Sequence, residues 1–127
     1  MVDHIGLLIT TIVSAGNCGD RDGLEAMLFF AQGKEVLPKK IFADQGYSGQ
    51  EFKQRLVQYG VDLETVKRRD TTGFVLEARR WIVERTFAWL GKSRRLSKDY
   101  ELIATSSISM IYLAMIRLMV RRIASLI

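Results

Sequence analysis

The sequence is poor in the residues on which several common chemistries depend. It holds one cysteine (Cys18), one histidine (His4) and one proline (Pro38) in 127 residues. A lone cysteine excludes an intramolecular disulfide, and with a single histidine there is no Cys/His cluster for zinc. A Ser-His-Asp or Cys-His centre would have only His4 to draw on. There is no internal repeat and no low-complexity tract. Long uncharged apolar runs are also absent. The very apolar C-terminus, SMIYLAMIRLMVRRIASLI, is interrupted by Arg117, Arg121 and Arg122, so no uncharged run reaches membrane-spanning length. The N-terminus, MVDHIGLLITTIVSAG, lacks a basic leading segment and opens with Asp3, which favours a buried strand over a signal peptide. These absences predict a reducing, cytoplasmic location.

What is present describes a folded chain. Hydrophobic residues make up 48% and charged residues 26%, a globular composition of a length that suits one domain over 1–127 with a real core. The net charge of +5 is unevenly spread. Residues 1–66 carry six Lys/Arg against nine Asp/Glu, and residues 67–127 carry thirteen against five. The second part therefore presents either a surface suited to a polyanion or simply solvated helix faces.

The pattern along the chain alternates. HIGLLITTIVSAG is short, apolar and β-branched, as a buried strand is. NCGDRDG is a turn in which Asp20 or Asp22 caps the next element. DGLEAMLFFAQG has helical spacing in Leu24, Met27, Leu28 and Ala31, with Gly33 as its stop. KKIFAD predicts a second strand. SGQEFKQRLVQYG predicts a helix capped by Ser48 and ended by Gly60, and VDLETVKR a third strand with Val61, Leu63 and Thr65 on one side. A helix is predicted from about Leu76 to Leu96 and another from about Ser107 to Ile127. This order predicts an α/β layer fold with a thin, mostly parallel sheet flanked by helices, closed by two C-terminal helices.

Two carboxylates stand out. In IFADQGYSG, Asp44 follows three apolar residues and precedes a glycine-spaced turn. It is either a cap or a metal ligand at the carboxyl edge of a sheet, where open α/β folds place their sites. In EARRWIVERTFAWLGKSRRL, a helical wheel puts Val83, Phe87 and Leu90 on one apolar stripe and Ile82 and Trp89 on a second. Glu84 shares a face with Glu77, Arg80 and Arg95 and borders the core. Glu84 is either the partner of Arg80 in an i, i+4 ion pair or a second ligand beside Asp44. Carboxylates converging on one point are what two-metal phosphoryl transfer requires.

ADQGYSG followed by RRWIVERTFAWLGKSRRLSKDYE and MIYLAMIRLMVRR resembles the C-terminal part of the DDE transposases of bacterial insertion sequences, of the IS-four/IS-five kind. The resemblance covers nearly the whole chain, from VDHIGLL to RLMVRRIA. It implies a partial ribonuclease-H-like domain that binds Mg²⁺ (or Mn²⁺) through an Asp, Asp, Glu triad. Asp44 matches the second Asp, Glu84 the Glu, and Arg80 the arginine four residues before it. Glu77 stands where the pattern often has Tyr, and Gly91 where it has Lys, with Lys92 next to it. Asp3, Asp20 and Asp22 do not occupy the first strand, so the first Asp is expected on a segment upstream. The implied reaction is hydrolytic nicking at insertion-sequence ends followed by attack of the 3′-hydroxyl on target DNA. Lys67, Arg68, Arg69, Lys92, Arg94, Arg95 and Lys98 are the candidates for phosphate contacts. The partners implied are double-stranded DNA, an upstream transposase segment or a full-length transposase, and a homo-oligomer. The alternatives are an inactive DNA-binding fragment that modulates a full-length transposase, and an interaction protein that dimerises through its last helix.

Overall fold

The computed structural model describes residues 1–66 and 78–127, with side chains from residue 81 onward in the second stretch. The chain forms two compact units, Ser14–Leu76 and Met1–Val13 with Glu77–Ile127.

The first unit is built on a strand–helix–strand segment. It runs α1 (Asp20–Gly33), β1 (Lys40–Ala43), α2 (Gln50–Val57) and β2 (Asp62–Thr65). β1 and β2 pair in parallel, with Lys40 opposite Asp62 and Ala43 opposite Thr65. A parallel pair needs a crossover, and α2 supplies it. The buried side chains are those that the periodicities predict. Leu24, Leu28 and Ala31 recur at i, i+4 and i+7 on α1, Phe52 and Leu56 at i, i+4 on α2, and Ile41, Val61 and Leu63 come from the strands and their edge. Each large apolar side chain removed from water here contributes about 1.5–3 kcal/mol. On the outer face Lys40 bonds Glu64 at 2.8 Å and lies 3.6 Å from Asp62, and these carboxylates raise its pKa. Two expected caps differ. The N-cap of α1 is Gly19 rather than Asp20 or Asp22. The residue at the N-cap of α2 is Gly49, without a side-chain bond. Ser48 instead offers its carbonyl to Arg21.

The second unit contains α3 (Ala78–Gly91) and α4 (Ala104–Ala124), with a 3-10 turn at Arg94–Leu96 between them. The long helix predicted to Leu96 stops at Gly91, and the last helix begins three residues before Ser107 and ends before Ile127. The strand predicted over HIGLLITTIVSAG is not formed. Its start is a tight turn with a single antiparallel bridge, Val2 to Leu8. The physical reason is Asp3. Its Oδ1 accepts from the backbone N–H groups of Ile5 and Leu7, so a side chain takes the donors that a ladder would use. Gly6 sits at φ +82 in this turn, a conformation that L side chains disfavour. A Cβ there would come within 2.9 Å of Thr86 Oγ1.

The inward face of α3 also differs from the expected one. Val83 and Phe87 are exposed, and Phe87 keeps 69% of its surface. The buried residue is Thr86, flanked along one stripe by half-buried Ile82 and Trp89. Burying a hydroxyl is tolerable because Thr86 donates to the Gly6 carbonyl at 2.8 Å and lies within bonding distance of the Ile82 carbonyl at 3.0 Å. The wheel could not separate two apolar stripes by hydropathy, because a polar residue marks the one that turns inward.

Candidate functional site

Asp44 lies where the sequence placed it, directly after the carboxyl end of β1. It caps the 3-10 turn Gln45–Tyr47, its Oδ1 accepting the Gly46 N–H at 3.1 Å. Cap and strand-edge position are therefore both real, and neither displaces the other. The carboxylate is exposed. A Cβ built on Gly46 would be 3.2 Å from Asp44 Oδ1 and 3.5 Å from Asp20 Oδ2, so two carboxylates border the same glycine. Asp20 and Asp22 do not cap α1 from the preceding turn. They form the first turn of α1 behind a Gly19 cap, where negative charge suits the helix N-terminus. Tyr47, next to this pair, has its phenol pushed above its ordinary 10.0, first by burial and then by Asp20 and Asp44.

Glu84 lies on α3 and is exposed; the core-bordering position expected from the wheel is not realised. Asp44 and Glu84 belong to separate units. Arg80 is on α3, and its side chain lies outside the described residues, as do Lys67, Arg68, Arg69 and Glu77. Lys92 follows the end of α3, its N–H bonded to the Trp89 carbonyl. Lys92, Arg94, Arg95 and Lys98 are all exposed on the segment joining α3 to α4. Arg95 differs from the others. Its Nε donates to Glu101 Oε1 at 2.7 Å, and that carboxylate raises its already high pKa. Its charge is thus partly answered within the chain. Arg95, Lys98, Asp99, Tyr100 and Glu101 also line an open cavity of about 210 Å³.

Three features escaped the sequence reading. The Arg85 guanidinium stands 4.6 Å from the Trp81 ring centre and 4.9 Å from that of Trp89, and Arg122 lies 4.2 Å over Trp89. Arg85 also donates to the Ile5 carbonyl at 2.8 Å. Its spacing from both tryptophans, four residues each way, was a visible signal for stacking. Arg122 and the Arg21–Ser48 bond join residues far apart in sequence and carried no such signal.

The donor set bears on metal binding. Asp and Glu oxygens are the hard ligands that Mg²⁺ takes, so the residue type fits. Among the described residues, no group of three or more His, Cys, Asp or Glu gathers to hold a metal ion. No helix among the described residues is long and apolar enough to cross a membrane.

A carboxylate presented at the end of a parallel strand, with a basic helical segment following in sequence, defines an α/β protein of the kind that places charged sites at strand ends. The family is shown by direct comparison. The chain belongs to the transposase DDE domain family, whose model matches residues 41–121, a stretch that contains both Asp44 and Glu84. A Burkholderia cepacia protein named as a transposase for insertion sequence element IS402 is 39% identical over 64 residues, covering 50% of this chain and 30% of that relative. The chain thus aligns to less than a third of the relative's length. No solved structure matches it.

Proposed function

We propose that this chain is part of a transposase of a bacterial insertion sequence, of the IS-four/IS-five kind, and that 1–127 belongs to one ribonuclease-H-like catalytic domain. The single observation that carries this reading is Asp44. It stands at the carboxyl end of a parallel strand, inside the matched stretch that also holds Glu84. Asp44 and Glu84 would each offer oxygen donors to Mg²⁺ (or Mn²⁺), with the first Asp of the triad as the third carboxylate. The chemistry that such ions would supply there is activation of the attacking oxygen and neutralisation of the leaving one. Arg80 supports Glu84 from one turn away. The work of Lys92, Arg94 and Lys98 is to hold the DNA backbone through phosphate contacts, with Arg95 contributing less while Glu101 holds it. Lys67, Arg68 and Arg69 serve the same backbone. The substrate is double-stranded DNA, cleaved at the element's ends and joined to a target.

A second reading is a catalytically inactive DNA-binding fragment that modulates a longer transposase. That none of Asp3, Asp20 and Asp22 fits the position of the triad's first Asp favours it. A supercoiled-plasmid nicking assay with Mg²⁺ or Mn²⁺ separates the two, using the chain and its Asp44→Asn and Glu84→Gln variants at several salt concentrations. Nicking that vanishes in both variants supports the catalytic reading. Salt-sensitive DNA binding by all three proteins with no nicking by any fits a triad that lacks its first Asp, and inhibition of a full-length transposase by added chain then supports the second reading. Absence of DNA binding overturns both.

A further inference from the structure

The loop that carries Asp44 is short and exposed. Residues 44–49 join β1 to α2, and their own bonds are local: Tyr47 N–H to the Asp44 carbonyl, Ser48 N–H to the Gln45 carbonyl, and Gly46 N–H to Asp44 Oδ1. Each such solvent-exposed bond is of modest net strength, and loops held only by them open readily. A carboxylate that must present its oxygens in a fixed direction needs a fastening from a more rigid element.

That fastening comes from the first turn of α1. Arg21 Nη2 donates to the Ser48 carbonyl. The same guanidinium lies face-on against the next residue. A Cβ built on Gly49 would be 3.6 Å from Arg21 Cζ, Nη1 and Nη2 alike, and equal distances to three coplanar atoms mean that the plate faces the glycine. Gly49 is at φ +141, a backbone conformation that L side chains rarely adopt. The neighbouring residue on α1, Asp20, stands near the other end of the loop, its Oδ2 3.5 Å from where a Cβ on Gly46 would be. α1 is itself anchored by Leu24, Leu28 and Ala31 in the core, so the grip comes from a fixed base.

We infer that Arg21 is a positioning residue for Asp44: by bonding Ser48 and covering Gly49 it holds the loop in the conformation that aims the Asp44 carboxylate. It touches the backbone and not the carboxylate, so its role is geometric. The inference rests on the proposed role of Asp44 only for its consequence, since the clamp itself exists whatever Asp44 binds. A lysine has the charge and the reach but no planar fork, so it is an incomplete substitute.

The test uses the full chain labelled for nuclear magnetic resonance, as wild type, Arg21→Ala and Arg21→Lys. Two readouts are taken: solvent exchange of the Gly46 amide against the Ile41 amide of β1, and broadening of the Asp44 carboxyl signal by Mn²⁺ alone. Arg21→Ala is expected to speed Gly46 exchange about tenfold, the factor of one hydrogen bond, and to leave Ile41 unchanged. Mn²⁺ broadening at Asp44 then requires more metal. Should Arg21→Ala loosen the whole unit, Arg21→Lys gives the cleaner comparison, with the same direction expected at Gly46. Unchanged Gly46 exchange in both variants overturns the inference. Wild-type Asp44 signals that ignore Mn²⁺ sink the metal-ligand reading instead, and the exchange comparison still decides the clamp.

Discussion

Among the described residues, eight apolar side chains are buried in the unit that carries Asp44, whereas Met115 alone is buried in the unit that carries Glu84. The second unit buries Thr10, Thr86 and Ser107 and relies on their bonds and on guanidinium–indole stacking. The charges divide the same way. The Asp44 unit has nine Lys/Arg against nine Asp/Glu, and the Glu84 unit has ten against five. One region is thus a neutral apolar core that holds a carboxylate at its edge. The other is a polar-bonded helical region that carries the whole net charge. The two regions thus depend on two kinds of stability, which respond to different perturbations.

The largest expected effect is on the apolar core. Phe52→Ala removes a side chain that is 2% exposed and is expected to destabilise its unit by about 3–5 kcal/mol, measured by urea unfolding followed by circular dichroism. Next comes the polar core. Thr86→Val keeps the shape but leaves the Gly6 carbonyl without its 2.8 Å donor, at an expected cost of about 1–3 kcal/mol. Tryptophan fluorescence follows this change, because Trp81 and Trp89 both lie in that unit. If Thr86→Val proves as costly as Phe52→Ala, the contrast drawn between the cores is wrong.

The same contrast explains what was legible in the sequence. The Asp44 unit obeys hydrophobic periodicity, so α1, both strands and α2 were readable from spacing, and Asp44 fell where the strand pattern put it. The Glu84 unit is organised by hydrogen bonds that periodicity does not encode. An apolar N-terminal run became a turn because Asp3 captured two backbone donors. The stripe of Val83 and Phe87 stayed exposed because the inward face of α3 is marked by a threonine. At the candidate site, the position of Asp44 was visible from composition and turn chemistry. The roles of Arg21 and Asp20 were not, because their contacts with the Asp44 loop cross more than twenty residues of sequence.

Charge gives the third comparison. If the basic segment after α3 holds DNA, Lys98→Ala lowers the slope of log affinity against log salt by about 1. Arg95→Ala lowers it less, because Glu101 already engages that guanidinium. Lys53→Ala, in the neutral unit, is expected to leave the slope unchanged. Filter binding at four salt concentrations reads all three. Equal effects of Lys98→Ala and Arg95→Ala would show that DNA displaces Glu101 from its partner.

The smallest effect concerns pH and bears on the Asp44 edge alone. Burial, Asp20 and Asp44 together hold the Tyr47 phenol above its ordinary 10.0. The folded protein therefore keeps this proton at pH values where the unfolded chain has released it. Stability from this source is full below the unfolded value and is lost as pH rises through the folded one. Comparing urea midpoints at about pH 9 and about pH 11, wild type is expected to lose more stability than Tyr47→Phe, which has no proton to release there. Asp44→Asn removes one of the two charges that disfavour the phenolate, so the Tyr47 titration followed by ultraviolet absorbance moves down toward the ordinary value. Burial remains in that variant, so the displacement is partial. A Tyr47 titration that Asp44→Asn leaves in place would mean that the carboxylate is directed away from the ring, and the loop geometry assigned to this edge would have to change.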